Sequence, residues 1–99
     1  MLTITSTSDP RGLRLSGDID ASNVDQLETA LAPEVQEDGD ITLDVSELGF
    51  IGSAGIQVLV RTLINLEGRG RLIVVGAGAT LKKLVGIMGL DGFPHLELR

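Results

Sequence analysis

A single α/β domain on a mixed β-sheet, with elements in the order β-β-α-β-α-β-α-β, is the fold class that this chain of 99 residues predicts. Three observations predict it. Apolar residues alternate at Ile41, Leu43 and Val45, then recur at helical spacing through Ile56, Leu59, Val60, Leu63 and Leu66, so a strand hands over to a helix. Arg71-Leu-Ile-Val-Val75 is a nearly continuous apolar run bounded by glycines, the pattern of a central strand covered on both faces by helices. Finally, with 42% hydrophobic and 22% charged residues, the chain suits one buried core and is too short for two, so residues 1–99 are read as one domain.

The elements follow in order. Leu2 to Thr7 and Gly12 to Ser16 read as two strands of a hairpin, joined around Ser8-Asp-Pro-Arg-Gly12, where proline and glycine mark a turn. Ser22 followed three residues later by Asp25 resembles a capping box. Val24, Leu27 and Leu31 then share one face of a short helix that runs until Pro33. Glu37-Asp-Gly-Asp40 breaks the chain before a third strand, Ile41 to Val45, and a long second helix is expected from about Ser53 to Glu67, stopped by Gly68-Arg-Gly70. Gly76-Ala-Gly-Ala-Thr80 leads from the fourth strand to a third helix carrying Leu81, Leu84, Val85 and Met88, and His95 to Leu98 form a last strand. The sequence contains no internal repeat and no low-complexity tract.

Composition narrows the function. Cysteine is absent, which rules out disulfides and thiol catalysis and suits a reducing interior, so a cytoplasmic location is expected. The chain shows no leader-like segment and no apolar stretch of bilayer length, so neither export nor membrane insertion is expected. Net charge is −6, and the eight basic residues are dispersed rather than gathered in a tract. Nucleic-acid binding needs clustered cations and usually stacking aromatics, which are only 2% here, so a basic protein groove is the better electrostatic partner.

The candidate site is the strand-to-helix turn across Gly49 to Gly55, with one hydroxyl, Ser53, at its hinge. The first N–H groups of a helix lack intrahelical partners and carry the positive end of the dipole, so a side-chain oxygen or a serine phosphate suits this position. Ser53 therefore has two readings, as a helix cap or as a modified hydroxyl. Asp18, Asp20 and Ser22 form a second polar cluster, open to a capping role or to a share in a partner-binding face. With only two nearby carboxylates and no histidine or cysteine among them, no metal site is expected. Gly76-Ala-Gly-Ala-Thr80 lacks the Gly-Lys-Ser/Thr ending of a phosphate-binding P-loop and reads as a tight turn, so no nucleotide or other cofactor is expected. Ile51 stands where a hydrolase elbow has its first glycine, and nothing links the sole histidine, His95, to Ser53 in a triad, so no enzymatic activity is expected. The apolar Leu84, Val85, Ile87, Met88, Leu90 and Phe93 serve packing or a contact surface.

Asp44-Val-Ser46 followed by Phe50-Ile-Gly-Ser-Ala-Gly-Ile-Gln-Val-Leu-Val60 resembles the signature of the STAS domain family, named for sulfate transporters and anti-sigma factor antagonists. Leu15-Ser-Gly-Asp-Ile-Asp-Ala21 is similar to the family's second strand and following turn, and Gly86-Ile-Met-Gly-Leu-Asp91 to its closing helix, so the likeness spans nearly the whole chain. The resemblance implies a non-catalytic regulator of the anti-sigma factor antagonist type, which binds an anti-sigma factor or serine kinase of the kinase/ATPase type and is switched off by phosphorylation of Ser53. It places partner contacts at Asp18, Asp20, Ser22, Gly52, Ser53, Ala54 and Gln57. Gly52 stands where many phospho-acceptor members have aspartate, Ala54 where the family has a second serine, and Gln57 where a small residue is usual. These departures keep open an alternative: a constitutive STAS-like subunit that braces a transporter ATPase.

Overall fold

Threonines and apolar residues alternate through the first strand, and its partner returns after the turn at Asp9-Pro10, whose peptide bond is cis. The computed structural model describes residues 1–99. Strand β1 (Leu2–Thr7) pairs antiparallel with β2 (Gly12–Ile19), and the chain continues through α1 (Val24–Val35), β3 (Ile41–Ile51), α2 (Ser53–Leu66), β4 (Leu72–Val75), α3 (Ala79–Ile87), a 3-10 turn at Leu90–Gly92 and β5 (Leu96–Leu98). The five-stranded sheet has spatial order β1-β2-β3-β4-β5, parallel from β2 onward. The predicted class and element order are those observed.

This strand order has a consequence for layering. Every parallel connection advances one strand in the same direction, and right-handed crossovers then put all three helices on one face. The buried side chains agree: Leu13, Leu15, Leu43, Val45, Leu72 and Val74 belong to one core with Leu27, Leu31, Ile56 and Leu63 of the helices. The opposite face carries Thr3, Thr5, Arg14, Thr42 and Asp44, in register with one another across the strands. Two expectations are thereby corrected. The central strand is β3, with β4 one place from the edge, because the last crossover adds β5 beyond it. Nor do helices cover both faces of β4: Ile73 is buried outside the main core, between Thr42 and Glu97 on the helix-free face.

Local boundaries also differ from the sequence reading, beginning with β2, which runs past Ser16 to Ile19. Pro33 lies inside α1, which runs on to Val35. Its missing N–H frees the Thr29 carbonyl on an exposed side of the helix, where water can satisfy it, and Arg11 holds the end by donating to the Glu34 carbonyl and carboxylate (3.0 and 2.7 Å). Ser22 caps no helix: its hydroxyl bonds Asp20, and Asn23 occupies the cap position. Strand β3 continues to Ile51 because it bulges twice against β2, first between Asp44 and Glu47 and again between Leu48 and Phe50. At the first bulge Asp44 Oδ1 accepts from the Ser46 amide (3.0 Å) and hydroxyl (2.6 Å), which explains the Asp-x-Ser sequence there. His95, far from Ser53 in sequence, is structural: Nε2 donates to the Leu63 carbonyl at 2.5 Å and the ring meets Phe93 edge-on.

Candidate functional site: the strand-to-helix turn at Ser53

The β2 and β3 strands end side by side, and their ends assemble the site. Asp18 lies opposite Phe50 and Ile19 opposite Ile51, so the loop leaving β2 meets the turn leaving β3. The Gly52 amide donates to the Ile19 carbonyl at 2.8 Å and fastens the two exits together. The sequence-predicted turn from Gly49 to Gly55 is thus compressed to Gly52 alone, between the last residue of β3 and the first of α2. This site lies at the carboxyl ends of the parallel strands β2 and β3.

Gly52 is the N-cap of α2 and has no side chain with which to cap it. Ser53 is therefore the first helical residue rather than the cap; it is exposed, and its hydroxyl makes no hydrogen bond within the chain. The first intrahelical bond runs from the Ile56 amide to the Gly52 carbonyl at 3.1 Å, leaving the amides of the first turn directed outward near that hydroxyl. Of the two readings of Ser53, the structure removes the capping one. Gln57 follows one turn later on the same side and is exposed, while Ala54 is half-buried.

Gly55 explains how the turn comes so close to the sheet. A Cβ there would lie 2.7 Å from Ile51 Cγ1 and 2.9 Å from Ile19 Cγ2, so only glycine lets the first turn of α2 rest on the ends of β2 and β3. A Cβ on Gly52, by contrast, meets nothing closer than Phe50 Cε2 at 3.4 Å, and its backbone (φ −84°, ψ 177°) suits any residue. The missing carboxylate at Gly52 is a matter of chemistry, not of space.

The β2-to-α1 loop is ordered by its own polar groups. Asp20 Oδ1 accepts from the Ser22 hydroxyl at 2.5 Å and amide at 2.9 Å, and these bonds, the hydroxyl one foremost, hold its carboxyl below the usual aspartate range. Asn23 was missed by sequence reasoning. Its Nδ2 donates to the Asp18 carbonyl (2.9 Å) and its Oδ1 accepts from the Asp20 amide (3.0 Å), so one side chain ties the loop together. An asparagine just before a helical pattern is the signal that marked it. Asp18 itself extends over Gly49, where a Cβ would stand 3.0 Å from its Oδ1. Asp18, Asp20 and Ser22 are all exposed, leaving the face next to Ser53 polar and acidic.

Phe50 is the second omission. It is 56% exposed in a chain with two aromatics, and it borders a groove of about 240 Å³ between the end of β3 and the start of α3, lined by Val45, Leu48, Ile51, Leu81 and Leu84 among others. Ser53 thus lies between an acidic loop and an apolar rim, the mixture found in protein-docking surfaces. No three histidine, cysteine or carboxylate side chains converge as a metal-binding group, and no helix is long and apolar enough to cross a membrane.

Comparison with known proteins agrees with this geometry. The family model described as "Mlab, STAS domain" matches residues 2–98. The anti-sigma-F factor antagonist RsfB of Mycobacterium tuberculosis is 29% identical over 80 residues, which are 80% of this chain and 66% of that protein, so the chain spans just under two thirds of that relative. An anti-sigma-B factor antagonist of Staphylococcus epidermidis is 26% identical over 87 residues, covering 86% of this chain and 81% of that one. Among solved structures, an anti-sigma factor antagonist from Mycobacterium paratuberculosis superposes with a TM-score of 0.79 at 26% identity, over 98% of this chain and 84% of its own. Unphosphorylated SpoIIAA shares the fold at a TM-score of 0.74 and 18% identity, over 100% and 87% of the two chains. From the strand order to the glycine-bounded serine at the head of α2, the chain belongs to the STAS domain family.

Proposed function

We propose that this protein is a regulatory binding module of the anti-sigma factor antagonist type, which docks a kinase-type anti-sigma factor through the face around Ser53 and is released when Ser53 is phosphorylated. The observation that carries this reading is the state of Ser53: exposed, unbonded, and at the first position of a 14-residue helix whose cap residue has no side chain. A kinase can reach the hydroxyl without unfolding any element. The names of the relatives support the partner class. Asp18, Asp20 and Ser22 on one side, with Gly52, Ala54 and Gln57 on the other, supply the remaining contacts, and the partner brings ATP and magnesium. A phosphate adds about −1.5 to −2 charges beside Asp18 and Asp20, and a partner seated there is expelled by repulsion and desolvation.

The test compares Ser53→Ala and Ser53→Glu with the parent chain in binding to a kinase-type anti-sigma factor from the same cells. The expected result is parent-like affinity for Ser53→Ala and a loss of tenfold or more for Ser53→Glu, with ATP-dependent phosphate transfer to the parent chain and none to Ser53→Ala. Equal binding by both variants sinks the switch. It would favour a second reading, the constitutive subunit bracing a transporter ATPase, which has its own support in Gly52 and Ala54 and in a family model described by the Mlab STAS domain.

A further inference from the structure

We propose that the outer edge of β1 is a self-pairing surface, through which two copies of this chain join into one continuous ten-stranded sheet. The starting point is the contrast between the two edges of the sheet. Strand β5 is three residues long, and Glu97 on it is held by Arg71 and Arg99, so that edge is short and charged. Strand β1 is six residues, Leu2-Thr-Ile-Thr-Ser-Thr7, with no charge, no proline and an unbroken register against β2. In a chain carrying −6, it is an edge on which two copies can meet without like charges opposed.

The hydrogen-bonding phase determines what that edge offers. The Asp18 amide donates to the Met1 carbonyl at 3.2 Å, which makes Met1 and Asp18 a bonded pair. Bonded and non-bonded pairs alternate in an antiparallel ladder, so Thr3 and Thr5 direct their backbone groups to β2, whereas Leu2, Ile4 and Ser6 direct theirs outward. A two-fold axis through Ile4 then uses all three. Ile4 pairs with Ile4 of the second copy and Leu2 with its Ser6, while on the helix-free face Thr3 meets Thr5 and Thr5 meets Thr3. Threonine pairs are favourable cross-strand neighbours, and the half-buried Ile4 becomes covered by its own copy. Every contact occurs twice, Leu2 with Ser6 and Ser6 with Leu2, as an isologous interface requires.

The helix above this edge fits the same occupant. Gln26, Thr29, Ala30 and Pro33 form an uncharged stripe on α1, and the shallow groove between that stripe and β1, lined by Ile4, Ser6, Gln26, Thr29 and Ala30 with Asp25 as its one charged residue, has a volume of about 540 Å³. The two-fold brings the two stripes face to face over the joined strands. The Ser53 faces lie at opposite ends of the extended sheet and stay open, so the pairing is independent of what docks there.

The experiment measures the molar mass of the unmodified chain by sedimentation from micromolar to millimolar concentration, alongside Ser6→Pro, which removes an outward N–H, and Thr3→Lys, which charges the seam. Circular dichroism checks that both variants fold. The expected result is a concentration-dependent dimer that either substitution weakens about tenfold or more. The chain has no cysteine, so single introduced thiols report the register. Ile4→Cys forms a disulfide-linked dimer on mild oxidation, its paired Cα atoms being about 5.5 Å apart, within disulfide reach. Thr7→Cys does not, because its two copies lie roughly 20 Å apart in this register. A parent chain that stays monomeric to millimolar concentration, a dimer indifferent to both edge variants, or equal cross-linking by the two cysteine variants overturns the proposal.

Discussion

Gly55 and Gly86 both sit inside helices, yet opposite outcomes are expected when each is changed to alanine. Alanine is the better helix former by about 1 kcal/mol, and at Gly86 nothing lies within 4 Å of an added Cβ. Gly86→Ala therefore stabilises the protein by about 1 kcal/mol, which for a chain of this size raises Tm by roughly 4–8 °C. At Gly55 the added Cβ meets Ile51 and Ile19 below 3.0 Å, and overpacking a tight contact costs about 1–3 kcal/mol, more than the helical gain. Gly55→Ala is expected to be destabilising by roughly 1 kcal/mol and to displace the turn that presents Ser53. Thermal and urea unfolding of the two variants checks the pair, and a stabilising Gly55→Ala would mean that α2 lies farther from the sheet than described. Ser53 itself was legible as the one hydroxyl of the turn. Its freedom from capping was not, because that depends on where Gly52 leaves the strand.

Among the elements, α3 is the weakest. It has nine residues, buries only Leu81 and Val85 among its larger side chains, and exposes Ile87 and Met88, whereas α2 buries Ile56, Val58, Leu59, Leu63 and Leu66 between the sheet and α1. Isolated helices of this length are marginal in water, so α3 opens below the cost of global unfolding. Amide hydrogen exchange is expected to show α3 losing protection well before α2, and Gly86→Ala slowing exchange in α3 more than elsewhere. Exchange from both helices at one rate would mean that α3 opens only with the whole molecule. The same contrast explains what the sequence disclosed. Clean periodicity marked α2 and the first half of β3. The second half was hidden because two bulges shift the inward-facing positions, leaving Ser46, Glu47, Gly49 and Phe50 exposed and out of alternation. Pro33 misled because its lost bond falls on solvent, and the run from Leu72 to Val75 suggested two covering layers, where Ile73 is in fact shielded by its neighbours in the sheet.

Over the whole molecule, charge is arranged so that all six arginines are paired while both lysines, Lys82 and Lys83, make no ion pair. Such surface pairs are worth about 0–1 kcal/mol each, so salt alone is expected to change stability little. Acid is different, because particular carboxylates are bonded in their charged form. Asp20 is held low by Ser22, Asp44 by Ser46, and Asp40 by the backbone and then the guanidinium of Arg71, which also reaches Glu97 on the neighbouring strand. Each folded-state pKa lies below the unfolded value of about 3.9, so the folded protein binds fewer protons and these groups add stability above that pH. The contribution is lost as pH falls through the lowered folded values. The denaturation midpoint is therefore expected to change little with these groups at neutral pH and to decline as pH falls below about 4. Asp20→Asn, Asp40→Asn and Asp44→Asn combined in one chain should flatten that decline, since an amide keeps its shape but does not titrate. Urea titrations of parent and triple variant across the acid range decide the matter. An unchanged slope in the variant would mean that the acid sensitivity comes from the relief or build-up of net charge, and not from the loop after β2, the bulge within β3 and the Asp40–Arg71 link at the starts of β3 and β4.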